Sequence, residues 1–282
     1  MAECKVCFRH CNIKEGGLGF CGARTVKNGQ VEAFNYGRVT GLALDPIEKK
    51  PLARFFPGSM ILSAGSFGCN LRCPFCQNYD ISWSEEAERY AKTAETVSPE
   101  ALVSLAEQTR SRGNIGVAFT YNEPLVGYEY VLDTAKLAKD RGLKTVMVTN
   151  GTAELWVLEE LLLYIDAMNV DLKGFSDAYY SRVLGGDLRM VMEFIEAAVK
   201  RCHVELTTLI VPGENDSEEE MRELSSWVSR LRGPGGEGVP LHVTRFFPRF
   251  HMTDHRVTDV RTVYRLAGVA REKLEYVYTG NC

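Results

Sequence analysis

Short apolar runs alternate with longer amphipathic segments over most of this chain. The runs at 60–63, 115–119, 144–148, 167–170, 204–211 and 241–247 are short and largely apolar, as strands buried on both faces are. Between them, helical periodicity fills 99–112, 125–141, 153–164, the stretch from 177 to 201, 217–231 and 259–273. In the first of these, Leu102, Leu105 and Ala106 share one face. Gly113 and Gly142 stand where left-handed helix caps are expected. Six strand–helix units predict parallel strands with right-handed crossovers. Polar residues follow nearly every strand rather than gathering at one switch point, which predicts an α/β partial (βα)6 TIM-like barrel rather than a doubly wound sheet.

The first 58 residues read differently. Val31, Ala33, Phe34, Tyr36 and Val39 alternate with polar residues and predict a hairpin over 30–40. Two prolines in Asp45-Pro46-Ile47-Glu48-Lys49-Lys50-Pro51 interrupt regular structure, and Phe55-Phe56-Pro57-Gly58 leads into the barrel. Lys49 and Lys50 are expected in a solvated loop, with substrate contact as the alternative. Gly233 to Gly238 reads as a surface loop. The division is a metal-binding module and hairpin at 1–58 and a barrel at 59–282.

Composition adds few constraints. The 282 residues are 45% hydrophobic and 25% charged, ordinary for a globular protein. With 33 basic and 37 acidic residues the formal charge is −4, and no basic tract points to nucleic acid or an anionic membrane. No run of 18 apolar residues occurs, and Met1-Ala2-Glu3-Cys4 opens without an apolar signal segment, so a cytoplasmic protein is expected. In that compartment, nine cysteines read as metal ligands rather than a disulfide framework.

Seven of those cysteines fall in two groups. Cys69-Asn70-Leu71-Arg72-Cys73-Pro74-Phe75-Cys76 places three thiols on one short loop, suited to a [4Fe–4S] cluster that keeps one iron without a protein ligand. Half of a zinc knuckle on Cys73 and Cys76 is the chief alternative, and three buried free thiols a weaker one. Cys4, Cys7, Cys11 and Cys21 form a closed four-thiol set among Gly16, Gly17, Gly19 and Gly22. Zinc is the favoured occupant and an auxiliary [4Fe–4S] cluster the alternative. His10 is left outside the ligand set, and Cys202 and Cys282 have no assigned role.

In a parallel barrel the chemistry lies at the carboxyl ends of the strands. Those ends carry the three-cysteine loop, Thr120-Tyr121-Asn122-Glu123-Pro124, Thr149-Asn150-Gly151, Asp171-Leu172-Lys173, Val211-Pro212-Gly213 and Phe247-Pro248-Arg249-Phe250-His251. A zwitterionic ligand needs a carboxylate for its amino group and a cation for its carboxylate; Glu123, Asp171 and Lys173 provide both kinds.

Together these motifs resemble the radical S-adenosylmethionine (SAM) superfamily, specifically the glycyl-radical activating enzymes and, more closely, the radical SAM members of the AmmeMemoRadiSam group. The resemblance runs from the N-terminal cysteines through Gly68-Cys69-Asn70 and Cys76-Gln77-Asn78 to His251. It implies a [4Fe–4S] cluster on Cys69, Cys73 and Cys76, with SAM bound by Phe75, Asn78, Asn122, Glu123, Asn150, Asp171, Lys173 and His251. Phe75 would pack the adenine and Glu123 would hold the amino group. The implied activity is reductive cleavage of SAM to a 5′-deoxyadenosyl radical that takes hydrogen from an unidentified substrate. A flavodoxin- or ferredoxin-like reductant is implied, as is a possible protein substrate or AmmeMemo-type partner. Two positions depart from the pattern: Val148 replaces an aspartate, and Thr207 falls where an arginine is expected. A glycyl-radical activase acting on a protein glycine is one alternative function. A non-enzymatic metal-binding interaction module is another, disfavoured by Glu123 and Asp171.

Overall fold

The computed structural model describes residues 1–282, the side chains of Glu88 and Tyr90 excepted. Eight strands form the main sheet: β1 (Gly41–Pro46), β2 (Met60–Gly65), β3 (Asn114–Phe119), β4 (Lys144–Thr149), β5 (Ala167–Asp171), β6 (His203–Ile210), β7 (Leu241–Arg245) and β8 (Val277–Gly280). They lie side by side in chain order. β2 to β8 are parallel, and β1 pairs antiparallel with β2 at the edge. This is the expected α/β partial barrel, with a strand added at each margin. Phe119, Met147, Met168 and Val204 stand in register across β3 to β6 and are all buried, one layer of the core.

The two added strands carry weak sequence signals. β1 ends on Asp45-Pro46, which an edge strand tolerates because the proline is not asked to donate into a ladder. β8 has four residues and one neighbour. Because β1 belongs to the main sheet, the sheet begins ahead of the boundary expected at 58.

Helices start where the caps direct. Ser98 accepts from the Ala101 amide at 3.2 Å ahead of Pro99, and Ser217 accepts from the Glu220 amide at 3.1 Å. The helix expected over 125–141 is divided into a 3-10 turn, Pro124–Gly127, and a helix, Tyr128–Asp140. The break coincides with Gly127, where a Cβ would stand 2.4 Å from Asn35 Oδ1. The hairpin expected over 30–40 instead pairs Arg24–Lys27 with Gln30–Ala33. Its turn is Asn28-Gly29, both with positive φ, a primed-turn signal that the alternation of apolar residues obscured.

The solvated loop expected at Lys49 and Lys50 is half corrected. Lys49 is exposed, but Lys50 is only 2% exposed and donates to Asp45 Oδ2 at 2.9 Å. Tyr121 donates its hydroxyl to the same oxygen at 2.8 Å. The segment is anchored because Ile47, Leu52 and Phe55 pack with Ile61, Ala118, Val146 and Ala167. Burial pushes the Asp45 carboxyl up, yet Lys50 and Tyr121 outweigh it and hold it well below the usual range. This stabilisation is present above about pH 4 and lost as pH falls through the depressed value. Asp45→Ala is expected to cost about 3–5 kcal/mol in denaturant titration at pH 7, since it strands a buried ammonium. A change under 1 kcal/mol would show that the pair carries no such load.

Glu205 pins the same segment from β6. Its fully buried carboxylate accepts from the Ala53 amide at 2.9 Å, the Arg54 amide at 2.7 Å, His203 at 2.9 Å and His242 at 2.7 Å. Burial alone would raise its pKa; the four donors bring it down to about 2. Among the described residues, no helix is long and apolar enough to cross a membrane.

Candidate active site

The loop after β2 is held by short polar contacts to the loop after β3. Asn122 accepts from the Ser66 amide at 3.0 Å and donates to the carbonyls of Phe67 at 3.1 Å and Gly68 at 3.2 Å. The Glu123 amide also donates to the Gly68 carbonyl, at 3.2 Å. Gly68 has φ +95°, and a Cβ there would stand 2.7 Å from both Ala23 Cβ and the Cys21 carbonyl oxygen. Glycine is therefore required for both conformation and space. The chain then turns so that Cys69, Cys73 and Cys76 enter one cavity of ≈250 Å³ at the carboxyl ends of β2 to β5.

Phe75, Asn78, Asn122, Glu123, Asn150, Asp171 and Lys173 line that cavity with the three thiols, so all but one of the residues expected to hold the cluster and SAM are brought together. His251 is the exception. It is exposed and outside the cavity wall; its amide donates to the Pro74 carbonyl at 2.9 Å, and its ring lies 5.6 Å from that of Trp83. The two departures from the family pattern separate as well. Val148 lines the cavity, whereas Thr207 spends its hydroxyl on Asn169 Oδ1 at 2.9 Å and Leu209 takes the wall.

Glu123 is buried, with three donors on its carboxylate: the Leu125 amide at 3.0 Å, the Thr149 hydroxyl at 2.7 Å and the Asn150 amide at 2.7 Å. Desolvation still wins and lifts its pKa to about 7. A carboxylate offers about four lone-pair sites, so one acceptor position is left for a ligand. Asp171 accepts from Lys173 Nζ at 2.8 Å. Lys173 also faces the thiols of Cys73 and Cys76; burial alone would pull its pKa down, but Asp171 and Cys73 outweigh it and hold the ammonium's pKa well above its ordinary value. Asn150 points Nδ2 at Cys69 Sγ, 3.7 Å away, and donates to Asn70 Oδ1 at 3.0 Å. Asn78 donates to the Tyr121 carbonyl at 2.7 Å, beside a tyrosine held at φ +74°. Phe75 packs edge-on to Phe246, with ring centroids 6.1 Å apart.

Several contributors escaped the sequence reading. Thr149 fixes Glu123, Ser82 and Thr120 line the cavity, and Asn70 links the thiol loop to the loop after β4. Thr149 was visible only as part of a strand-end triplet, and a buried asparagine leaves no periodic trace.

All nine cysteines are free. Burial pushes the Cys73 thiol up to about 12 and Cys69 well above its ordinary value, so a cation is needed to hold either as thiolate. Among the described residues no three His, Cys, Asp or Glu side chains converge on one metal ion. A cubane takes each thiolate at a different iron, so three thiols spread around one cavity fit it. The four N-terminal cysteines likewise line a single small cavity beneath Arg9 and Arg24.

A profile of the Radical SAM superfamily matches residues 65–225, more than half of the chain. The chain belongs to the radical SAM superfamily. It is 40% identical over 281 residues to an uncharacterized protein of Methanocaldococcus jannaschii, covering 99% of this chain and 81% of that one. It is 31% identical over 212 residues to the pyruvate formate-lyase-activating enzyme of Clostridium pasteurianum, covering 74% of this chain and 85% of the relative. Among solved structures, a radical SAM methyltransferase from Sphaerobacter thermophilus superposes with a TM-score of 0.58 at 14% identity, over 80% of this chain and 67% of the other. A domain of a pyruvate-formate lyase-activating enzyme from Bacteroides vulgatus gives 0.51 at 14% identity, over 59% of this chain and 99% of the other. Those two likenesses concern the fold. As a member of this superfamily the protein is an enzyme, related to activating enzymes, and the family implies an iron–sulfur cluster and SAM.

Proposed function

We propose that this radical SAM enzyme binds a [4Fe–4S] cluster on Cys69, Cys73 and Cys76 and SAM in the adjoining cavity. The observation that carries the reading is the convergence of three thiols with Glu123, Asp171 and Lys173 on one cavity at the strand ends. A cluster with one open iron would supply one-electron cleavage of SAM to methionine and a 5′-deoxyadenosyl radical, which takes hydrogen from the substrate. The protein's part is to position and to exclude water. Glu123 offers its remaining lone pair to the amino group of SAM, Asp171 and Lys173 face the thiols and the ligand, and Phe75 offers an apolar wall to the adenine. Asn122 acts through the loop it ties down, and Asn78 through the Tyr121 carbonyl. The four N-terminal cysteines hold a second metal, zinc or a further cubane, in a module ahead of β1. A flavodoxin- or ferredoxin-like protein is the reductant.

Relation to the pyruvate formate-lyase-activating enzyme favours a protein substrate, with hydrogen taken from a backbone glycine, as the second reading; AmmeMemo-type partner proteins are the other candidates. Anaerobic reconstitution followed by assay for 5′-deoxyadenosine with each candidate partner tests both. Deuterium transfer from a labelled partner into 5′-deoxyadenosine identifies the substrate, whereas transfer from none of them removes the protein-substrate reading.

The Glu123 carboxylate sets a pH dependence. An amino-group donor favours its ionised form, so SAM binding weakens as pH falls through about 7, where Glu123 takes up a proton. Equilibrium dialysis should show Glu123→Gln losing about 1.5–3 kcal/mol of SAM affinity at pH 8, the scale of a charged hydrogen bond. The variant should also lose the slope near neutrality. Parent-like affinity in Glu123→Gln would make Asn122-Glu123-Pro124 a purely structural turn.

A further inference from the structure

The N-terminal cysteine module lies directly against the three-cysteine loop. The Cys69 amide donates to the Cys21 carbonyl at 3.2 Å, and Gly68 leaves no room for a side chain between the two backbones. Asn70, nearly fully buried, also lines the cavity of the four N-terminal thiols.

Phe20, the residue before Cys21, carries a guanidinium on its ring from each side of this contact. Arg9 Cζ lies 3.6 Å from the ring centroid and Arg72 Cζ 3.8 Å. The Phe20 amide points at Cys11 Sγ, 3.5 Å away. Both arginines are half-buried, and their hydrogen bonds go to backbone carbonyls: Arg9 to Asn70 and Gly185, Arg72 to Cys69, Leu71 and Phe20. Among the described residues no carboxylate pairs with either. Two cations sharing one ring repel each other, and the groups that face them are thiols: Cys7, Cys11 and Cys69 around Arg9, and Cys69, Cys21 and Cys73 around Arg72. The arrangement makes electrostatic sense when both thiol sets carry negative charge.

We propose that the four-cysteine site and the Cys69–Cys76 loop form one electrostatically coupled pair of metal–thiolate centres. Arg9 and Arg72, stacked on Phe20, are their shared counter-charge, and the charge at the first site sets the reduction potential of the second. This rests on the cluster assignment proposed above. Either zinc or a cubane on four thiolates is net negative, so the N-terminal metal opposes the arrival of an electron at the neighbouring cluster and the two arginines favour it.

The test is a redox titration of the full, reconstituted chain, followed by the electron paramagnetic resonance signal of the SAM-responsive cluster. Arg9→Gln is expected to shift the midpoint to more negative potential, Arg9→Lys to stay close to the parent, and the Arg9→Gln, Arg72→Gln pair to shift further than either alone. Stripping the N-terminal metal through Cys4→Ser should move the midpoint the opposite way. The Arg9 variants leave all seven thiols in place, so the result does not depend on the Cys4 variant folding. Identical midpoints in the parent and Arg9→Gln, with the SAM-responsive signal intact, overturn the coupling alone. A parent protein without that signal overturns the cluster assignment and the coupling with it.

Discussion

Replacing Cys69, Cys73 and Cys76 together by alanine is expected to remove about four irons per chain and to abolish 5′-deoxyadenosine formation, while leaving the barrel folded. The loop is also held by contacts that do not involve the thiols. Asn122 holds Phe67 and Gly68, Arg72 Nη1 donates to the Cys69 carbonyl at 2.8 Å, and the Arg72 amide donates to the Leu184 carbonyl at 2.9 Å. In the metal-free protein burial drives the three thiols toward the neutral form, and Arg72 keeps its carbonyl acceptors on Cys69, Leu71 and Phe20 when they are lost. Iron analysis, circular dichroism and chromatography of the nucleoside products separate the effects. A folded triple variant that produces 5′-deoxyadenosine at the parent rate would place the reactive cluster elsewhere.

The second large effect is expected from the N-terminal module. Its stability rests on little apolar burial: Val6, Ile13 and Val26 enter the main core, while Cys21 and Ala23 meet only Val126 in a small cluster of their own. Metal binding in such modules is folding free energy. Changing Cys4 and Cys7 to serine should lower the melting temperature by roughly 5–10 °C, on the scale of 2–4 °C per kcal/mol for a chain of this size. The loss should be matched by treating the parent with a chelator strong enough to empty the site. Metal analysis after reconstitution identifies the occupant: one zinc per chain supports the favoured reading, and about eight irons assigns a second cubane. An unchanged melting temperature in a variant that has lost its N-terminal metal would contradict a structural role for the site.

The parallel strands were legible because strands covered on both faces are continuous apolar runs; β3, β4, β5 and β7 fall within two residues of their expected bounds. The site was legible for a related reason, since in such a sheet each strand's carboxyl end delivers the next few polar residues to one rim. Cys69, Glu123, Asn150 and Asp171 reach a common cavity from four successive strands. Long-range polar pairing was not legible. Lys50 looked solvated because its partners, Asp45 and Tyr121, meet it only through tertiary packing. His251 looked like a rim residue because its distance along the chain from β7 says nothing about the direction of the loop, which turns back onto Pro74 and Trp83. Tyr121 sits in a left-handed conformation, at φ +74°. Its ring occupies space that only Gly65 leaves open: a Cβ there would stand 2.6 Å from Tyr121 Cδ2. Two positions far apart in sequence thus constrain each other in a way no local pattern records.

The most direct measurement is the electron paramagnetic resonance spectrum of the anaerobically reconstituted, chemically reduced protein, recorded before and after addition of SAM. Binding of SAM to an iron that lacks a protein ligand would change that iron's coordination and so would alter the signal of the reduced cluster. The predicted result is a SAM-dependent change in the parent that is lost in the Cys69, Cys73 and Cys76 triple variant and retained when only Cys4 and Cys7 are replaced. A reduced-cluster signal that is indifferent to SAM, or one that survives intact in the triple variant, would contradict the assignment.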